Sequence, residues 1–445
     1  MANSIDDLLI DGLSFKLKAG ASYVNERKSV TYHPQGSNYY SVSGTRLIKL
    51  LITGDQWLDP SSFRIMFDLV NMDPDPVKTL RTLGGAHTFF KRMRVLCNGT
   101  IIEDIDSYSR VHEMFKVLSP TDVRYNEAGE SFGNEWDFNN HNKMDLTLAN
   151  MPGIISGQSQ TALFFPLSGL LMQSKYIPLR YAPITIELEL CNNATDPIIS
   201  DFGEGIPFTE ANTSLNWVIQ NVQVKCDVCI LDNSLDNSYA EHLLSGKSLP
   251  INYNTYISQI QSILSGENGQ KDVRLSITRS LSRLKSVFLS LDKLKILTFG
   301  NVGRKIWNNF YSPMYYYAGG TQNAFNELGE FEAQIQIGSK LIPEYPIRSH
   351  SEAFYQLRKT MGGGKLNTLD IDSHEYRNYK FIIGIDCEKV SQHGFTGINT
   401  RAGDILNISF KNQDIVPANY AHSMHVLLHS DQILEIRDSG CTVFD

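Results

Sequence analysis

The sequence predicts an all-β protein of two consecutive sandwiches with a few short flanking helices. Three observations carry that expectation. Short segments alternate apolar and polar residues, Gly, Pro, Asn and Asp break them at close intervals, and the order of strands and helices in the first half returns in the second. Successive strand side chains point to opposite faces, so alternation marks strands with one buried and one wet face. Many short strands divided by turn residues describe a sandwich or barrel.

In chain order, strands are expected at 44–53, 62–70, 92–97 and 160–165. The alternation is cleanest at Ile184, Ile186, Leu188 and Leu190, set against Thr185, Glu187 and Glu189. It is equally clear at Val222, Val224, Cys226, Val228 and Ile230, set against Gln223, Lys225, Asp227 and Cys229. In the second half the strands fall at 253–264, 272–278 and 285–291, at Ala333, Ile335 and Ile337, and at 379–386, 404–410 and 423–429.

Three helices are expected. Residues 107–118 place Val111, Met114, Phe115 and Leu118 on one stripe. Residues 239–245 follow Ser238-Tyr-Ala-Glu241, and 350–361 follow Ser349-His-Ser-Glu352. Each of these is a capping box, in which the Ser hydroxyl accepts from a first-turn N–H and the Glu reaches back. Gly246 and Gly362 supply the left-handed stops. In the last helix Ala353, Phe354, Leu357 and Met361 form a stripe, and both amphipathic helices are expected to cover strand edges near a seam between units. The segments 121–150, 192–214 and 300–330, the last containing Tyr315-Tyr-Tyr317, are long polar or aromatic connections expected to be functional loops.

The duplication is one of element order. A strand pair ending at Ile105 leads into the helix at 107–118, and a pair ending near Ile347 leads into the helix at 350–361. Arg180-Tyr-Ala-Pro-Ile184 and Arg401-Ala-Gly-Asp-Ile405 each open a later strand, and long strands at 215–231 and 421–436 close the halves. The chain has 445 residues, more than the ~250–300 at which a single core stops growing. The junction is expected at Ser245-Gly-Lys-Ser-Leu-Pro250. The expected division is an N-terminal arm at 1–8, a first sandwich at 9–246, a second at 247–437 and a C-terminal tail at 438–445.

Composition narrows the function. A hydrophobic fraction of 42% and a charged fraction of 20% are those of a globular protein, and the net charge of −8 disfavours a surface built to grip nucleic acid. Cys97, Cys191, Cys226, Cys229, Cys387 and Cys441 are scattered, which points to a reducing compartment rather than a disulfide framework. The opening MANSIDDLLIDG lacks the pattern of a signal peptide, and the apolar runs fall short of the ~20 residues of a membrane span. A soluble protein made in the cytoplasm is expected, in which the sequons at Asn98 and Asn407 are silent.

The chemical motifs weaken on inspection. Gly362-Gly-Gly-Lys365 lacks the earlier Gly and the following Ser or Thr of a phosphate loop, having Lys359 and Leu366 there. Cys226-Asp-Val-Cys229 has no second pair at zinc spacing, and a strand splays its thiols apart. His422, His425 and His429 lack a carboxylate at convincing spacing, and His87 stands outside any His-x-His pair. Asp438-Ser-Gly440 has no second copy, whereas aspartic proteases need two such loops. No catalytic, cofactor-binding or metal-binding residue is therefore assigned, no cofactor is expected, and the protein is read as a non-enzyme.

The run Leu231 to Asn254 resembles the passage from one jelly roll to the next in double jelly-roll major capsid proteins of the polinton-like virus, virophage and nucleocytoplasmic large DNA virus lineage. Ile177-Pro-Leu-Arg-Tyr-Ala-Pro-Ile-Thr-Ile-Glu-Leu-Glu-Leu190 resembles the late strand of their first roll, and the unit from Asn98 to Leu118 is also similar. The likeness in element order runs over about residues 9–436. It implies two eight-stranded jelly rolls, a homotrimer shaped as a pseudo-hexagon, neighbouring capsomers, penton and minor capsid proteins as partners, and a place in the icosahedral capsid of a virion. No sequence-specific nucleic-acid binding is implied, and an internal membrane is left open. The competing reading is a two-sandwich carbohydrate-binding protein or hydrolase, which needs an aromatic groove and, for hydrolysis, paired carboxylates. A minor vertex protein is the third reading, disfavoured by the double layout.

Overall fold

A computed structural model describes residues 23–132, 153–198, 212–262, 272–292, 310, 312, 331–362, 369–378, 380–390, 394–401, 405–411 and 423–444. The first half contains β1 (Val24–Tyr32), β2 (Tyr39–Tyr40), β3 (Leu47–Ile52), β4 (Trp57–Asn71), β5 (Phe90–Cys97), β6 (Thr100–Asp106), β7 (Ser159–Phe164), β8 (Ile177–Pro178), β9 (Ile184–Leu190) and β10 (Trp217–Leu231). The second contains β11 (Leu249–Ser262), β12 (Val273–Ile277), β13 (Leu284–Asp292), β14 (Glu332–Ile337), β15 (Lys340–Ile347), β16 (Ile382–Asp386), β17 (Leu406–Lys411), β18 (Ser423–Arg437) and β19 (Gly440–Phe444). The helices are α1 (Tyr108–Leu118), α2 (Thr121–Glu130), α3 (Gly169–Met172), α4 (Asn233–Leu244), α5 (His350–Thr360) and α6 (Ser373–Asn378).

These strands form four sheets, and no sheet mixes strands of the two halves. The first half pairs β1-β10-β4-β7 in one layer, with β2 and β8 on its edges, and β3-β9-β5-β6 in the other. The second half pairs β11-β18-β13-β16, with β19 added to β18, and β12-β17-β14-β15. With the short pieces β2, β8 and β19 set aside, both halves follow one rule. The first, eighth, third and sixth strands make one sheet, and the second, seventh, fourth and fifth make the other. This is the wiring of a jelly roll, in which the chain folds back on itself as two Greek keys. The duplication expected from element order is therefore a duplication of topology. The described residues hold ten strands in the first roll and nine in the second rather than eight each, because edges and ends are completed by the short pieces.

Inward-facing residues fill each sandwich. In the first roll Phe63, Ile65, Phe67 and Leu69 of β4 meet Met93 and Val95 of β5 and Ile184 to Leu190 of β9. Phe67 lies edge-on to Phe90 at 5.7 Å and to Phe89 at 6.1 Å. In the second roll Val287, Leu289 and Leu291 meet Ile335, Ile408, Phe410, Val426 and Leu428. Burying one such side chain contributes roughly 1.5–3 kcal/mol relative to exposure, which is why alternation located these strands.

Four expectations change. The strand β1 was not foreseen, because Val-Asn-Glu-Arg-Lys-Ser-Val-Thr-Tyr has no apolar alternation; it is an exposed edge strand held by its ladder to β10. The segment after Thr121 was expected to be a loop, yet its first ten residues form α2; residues 133–150 lie outside the described residues. The helix expected at 239–245 starts at Asn233, capped by Asp232, whose carboxylate accepts from the Ser234 N–H at 3.1 Å, so the Ser238 box falls inside the helix. The C-terminal tail placed at 438–445 is not free: residues 440–444 fold back as β19. β18 runs beyond the end of β13, and the tail completes that otherwise open edge.

The box at Ser349 is present in a shifted form. Ser349 Oγ accepts from the Glu352 N–H at 3.1 Å, while Glu352 reaches back to the N–H of Arg348 at 2.9 Å rather than to that of Ser349. The helix ends before Gly362, whose φ of +88° is the left-handed stop. Replacing Ser349 by Ala is expected to cost ~1 kcal/mol, read as a lower urea midpoint, with Ser349→Thr largely restoring it.

Candidate functional interface: the seam between the rolls

Among the described residues, no constellation of reactive groups comes together at the motifs. Cys226 and Cys229 lie on β10 with side chains on opposite faces. His425 and His429 share the outer face of β18, each tied to a serine. His425 Nε2 lies 2.7 Å from Ser258 Oγ, and His429 Nδ1 lies 3.0 Å from Ser286 Oγ. His429 stacks on Tyr256 at 5.1 Å, and burial pushes its pKa down to about 3. His422, Gly363 to Lys365 and Tyr315 to Tyr317 lie outside the described residues. Asp438 and Ser439 form the turn between β18 and β19. His87 is buried with Nε2 2.8 Å from Glu113 and stacks on His112 at 4.0 Å, a polar cluster inside the first roll. Among the described residues, no three His, Cys, Asp or Glu side chains gather as a metal site.

The structure instead assembles a broad seam. The outer face of the sheet β11-β18-β13 is covered by α1, β6 and α3 of the first roll. The Phe115 ring of α1 lies 4.8 Å from Tyr256 and 5.7 Å from Phe288. One turn earlier, the buried Arg110 pairs with Asp292 at 2.5 Å, and its guanidinium stands 4.6 Å over the Phe310 ring. Asp292 also accepts from Ser423 Oγ at 3.2 Å. The Tyr253 hydroxyl lies 3.1 Å from the carbonyl oxygen of Ile102 on β6 and 2.7 Å from Gln432 Oε1.

α3 approaches β11 most closely. A Cβ on Gly169 would stand 1.4 Å from the carbonyl oxygen of Asn254, so only glycine allows the two backbones to meet. The buried Glu103 of β6 fixes α3 in that position, accepting from Ser168 Oγ, from the Gly169 N–H at 2.8 Å and from the Leu170 N–H at 3.4 Å. Burial outweighs these bonds and raises the Glu103 pKa to about 7.

The two amphipathic helices therefore divide the role expected of both. α1 lies in the seam between rolls. α5 covers its own roll: Ala353 and Leu357 are buried, Leu357 and Thr360 lie against Gly384 of β16, and Phe354 meets Tyr376 of α6 at 4.8 Å. Helix periodicity located both stripes but could not say which sheet each would cover. Arg110 and Glu103 carried no sequence signal, because a single charge beside an apolar stripe reads as solvated.

No protein-family model matches the sequence, and no curated protein sequence matches it. Solved structures do. The chain is similar to PBCV-1 VP54 fitted into a reconstruction of the virophage Sputnik, with a TM-score of 0.64 and 10% identity over 97% of this chain and 100% of that one. It is similar to the structure of the Sputnik virophage determined by electron microscopy, with a TM-score of 0.57 and 10% identity over 100% and 94% of the two chains. It is also similar to the Faustovirus major capsid protein, with a TM-score of 0.54 and 9% identity over 95% and 93%. The chain has the double jelly-roll fold. It shares that fold, along nearly its whole length, with PBCV-1 VP54 and the Faustovirus major capsid protein.

Proposed function

We propose that this chain is a major capsid protein that trimerises into pseudo-hexagonal capsomers and tiles an icosahedral shell. The rolls divide at residues 246 and 247, and the arm at 1–8 contacts neighbouring capsomers or an inner layer. One observation carries the trimer: the seam joins unlike faces of two like rolls. The edge strand β6 of the first roll meets the edge strand β11 of the second. Among the described residues their counterparts, β15 of the second roll and β1 of the first, are the outer strands of their sheets. β15 presents Leu341 and Tyr345, the latter 79% exposed, and the β1 edge presents Tyr23 and Val24. A heterologous interface repeated around a closed ring covers every such edge. Three chains then supply six rolls, the number of similar edges a pseudo-hexagon needs.

The non-enzymatic reading is favoured over a hydrolase because the buried carboxylates are committed to structure. Glu103 holds α3, Glu113 holds His87, and Asp292 holds Arg110. Virion localisation, synthesis in the host cytoplasm and contacts with penton and minor capsid proteins follow from the same proposal.

Light scattering on the purified chain is expected to give about three times 50.1 kDa. Tyr345→Asp should shift the species to monomer with an unchanged circular dichroism spectrum. A monomeric wild type at high concentration, or a Tyr345→Asp trimer of full stability, overturns the assignment.

A further inference from the structure

Two hairpins meet tip to tip across the seam. The turn between β5 and β6 is Asn98-Gly99, both with positive φ, and the turn between β18 and β19 ends at Gly440. A Cβ on Gly440 would stand 3.4 Å from the Asn98 side-chain nitrogen, and Thr100 Oγ1 donates to the Cys441 carbonyl oxygen at 3.3 Å. Beside this contact, Cys97 Sγ of the first roll and Cys441 Sγ of the second lie 2.8 Å apart, although 344 positions separate them in the chain. Both are free thiols, 0% and 6% exposed. The sulfurs are nearer than in van der Waals contact and within ~1 Å of bonding distance. None of the other four cysteines offers such a partner: Cys226 and Cys229 face opposite sides of β10, and Cys191 and Cys387 direct their thiols to backbone carbonyls.

We propose that Cys97 and Cys441 are the sites of an intrachain disulfide that forms under oxidising conditions and clamps the last strand of the second roll to the first. The oxidant is a low-molecular-weight disulfide such as oxidised glutathione. Cys441 reacts first, because it lies on the terminal strand and is the more exposed of the pair. A hydrogen bond from the Cys97 thiol also favours its thiolate. Its thiolate attacks one sulfur of the oxidant, breaking that S–S bond and releasing one glutathione thiolate. Cys97, its proton passing to the glutathione thiolate already released, then attacks Cys441 Sγ in the mixed disulfide, forming the protein S–S bond and releasing the second glutathione thiolate. The two protein thiols lose two protons and two electrons. The oxidant gains both electrons, and the protons end on its two thiols. The clamp closes a loop of 344 positions in a chain of 445 residues, and the longer the closed loop, the more a cross-link restricts the unfolded state. It is a property of one chain and does not rest on the capsid assignment.

The test uses the full-length chain, incubated with oxidised glutathione and then alkylated with N-ethylmaleimide in denaturant. Four of the six thiols should be alkylated, with a linked peptide pair containing Cys97 and Cys441. The oxidised protein should melt on the order of 5 °C higher than the dithiothreitol-reduced protein. Cys97→Ser and Cys441→Ser should each abolish that difference. Six alkylated thiols after oxidation, or a linked pair joining any other cysteines, overturns the proposal. Peptide mapping on the wild type decides it even if a variant folds poorly.

Discussion

Replacing Arg110 by Ala is expected to lower stability by ~3–5 kcal/mol, because it removes the charged partner of a buried carboxylate. Arg110 leaves α1 of the first roll and reaches Asp292 at the end of β13 in the second, where Ser423 Oγ also donates to the carboxylate. Without the guanidinium, a buried carboxylate loses its charged partner, which costs free energy. Asp292→Ala should also lower stability, because the buried guanidinium loses its charged partner. The double change Arg110→Met with Asp292→Leu should lose less than either single change, since a buried pair replaced by apolar residues is often neutral. Calorimetry also locates the loss. With the seam weakened, the rolls should lose cooperativity and the single transition should broaden or split. Strictly additive single and double variants would show that Arg110 and Asp292 are not coupled.

The second large effect depends on pH. Glu103 is raised to about 7 by burial, despite the hydrogen bonds from Ser168, Gly169 and Leu170, whereas an ordinary glutamate ionises near 4.5. The folded state therefore holds this proton more tightly than the unfolded state. Its contribution is fully present below pH 4.5, falls as pH rises through about 7, and levels off above that. The penalty at alkaline pH is on the order of 3 kcal/mol. Glu103→Gln imitates the protonated acid at every pH: its amide nitrogen can donate to Ser168 and its oxygen can accept from Gly169. The variant should be more stable than wild type at pH 8 and nearly equal to it at pH 4.5, measured by denaturant titration at both. An equal difference at the two pH values would place the effect in packing rather than ionisation.

Much of the fold was legible because burial on one face imposes a local pattern. Ile184 to Leu190 alternates as β9 does, and the stripes of α1 and α5 follow the helical period. The repeated order of hairpin, helix and late strand became two jelly rolls with identical wiring. What escaped has a physical reason in each case. β1 is an edge strand with no inward-facing apolar series, so only its ladder to β10 makes it a strand. The tail became β19 because β18 runs past the end of β13 and offers an unpaired edge, a condition set by a strand far earlier in the chain.

By itself, then, the sequence determined what depends on near neighbours: which segments are strands, where Ser349 starts a helix and Gly362 stops it, and that the halves are alike. Only the tertiary structure decided what depends on groups brought together from distant positions. It put Arg110 on Asp292, Gly169 on Asn254 and Cys97 beside Cys441, and it placed α1 in the seam while leaving α5 on its own roll. Alternation and helical period record which face of an element is buried, but not against what. That choice rests on the docking of whole sheets, whose contacting residues lie too far apart in the chain to leave a shared local pattern.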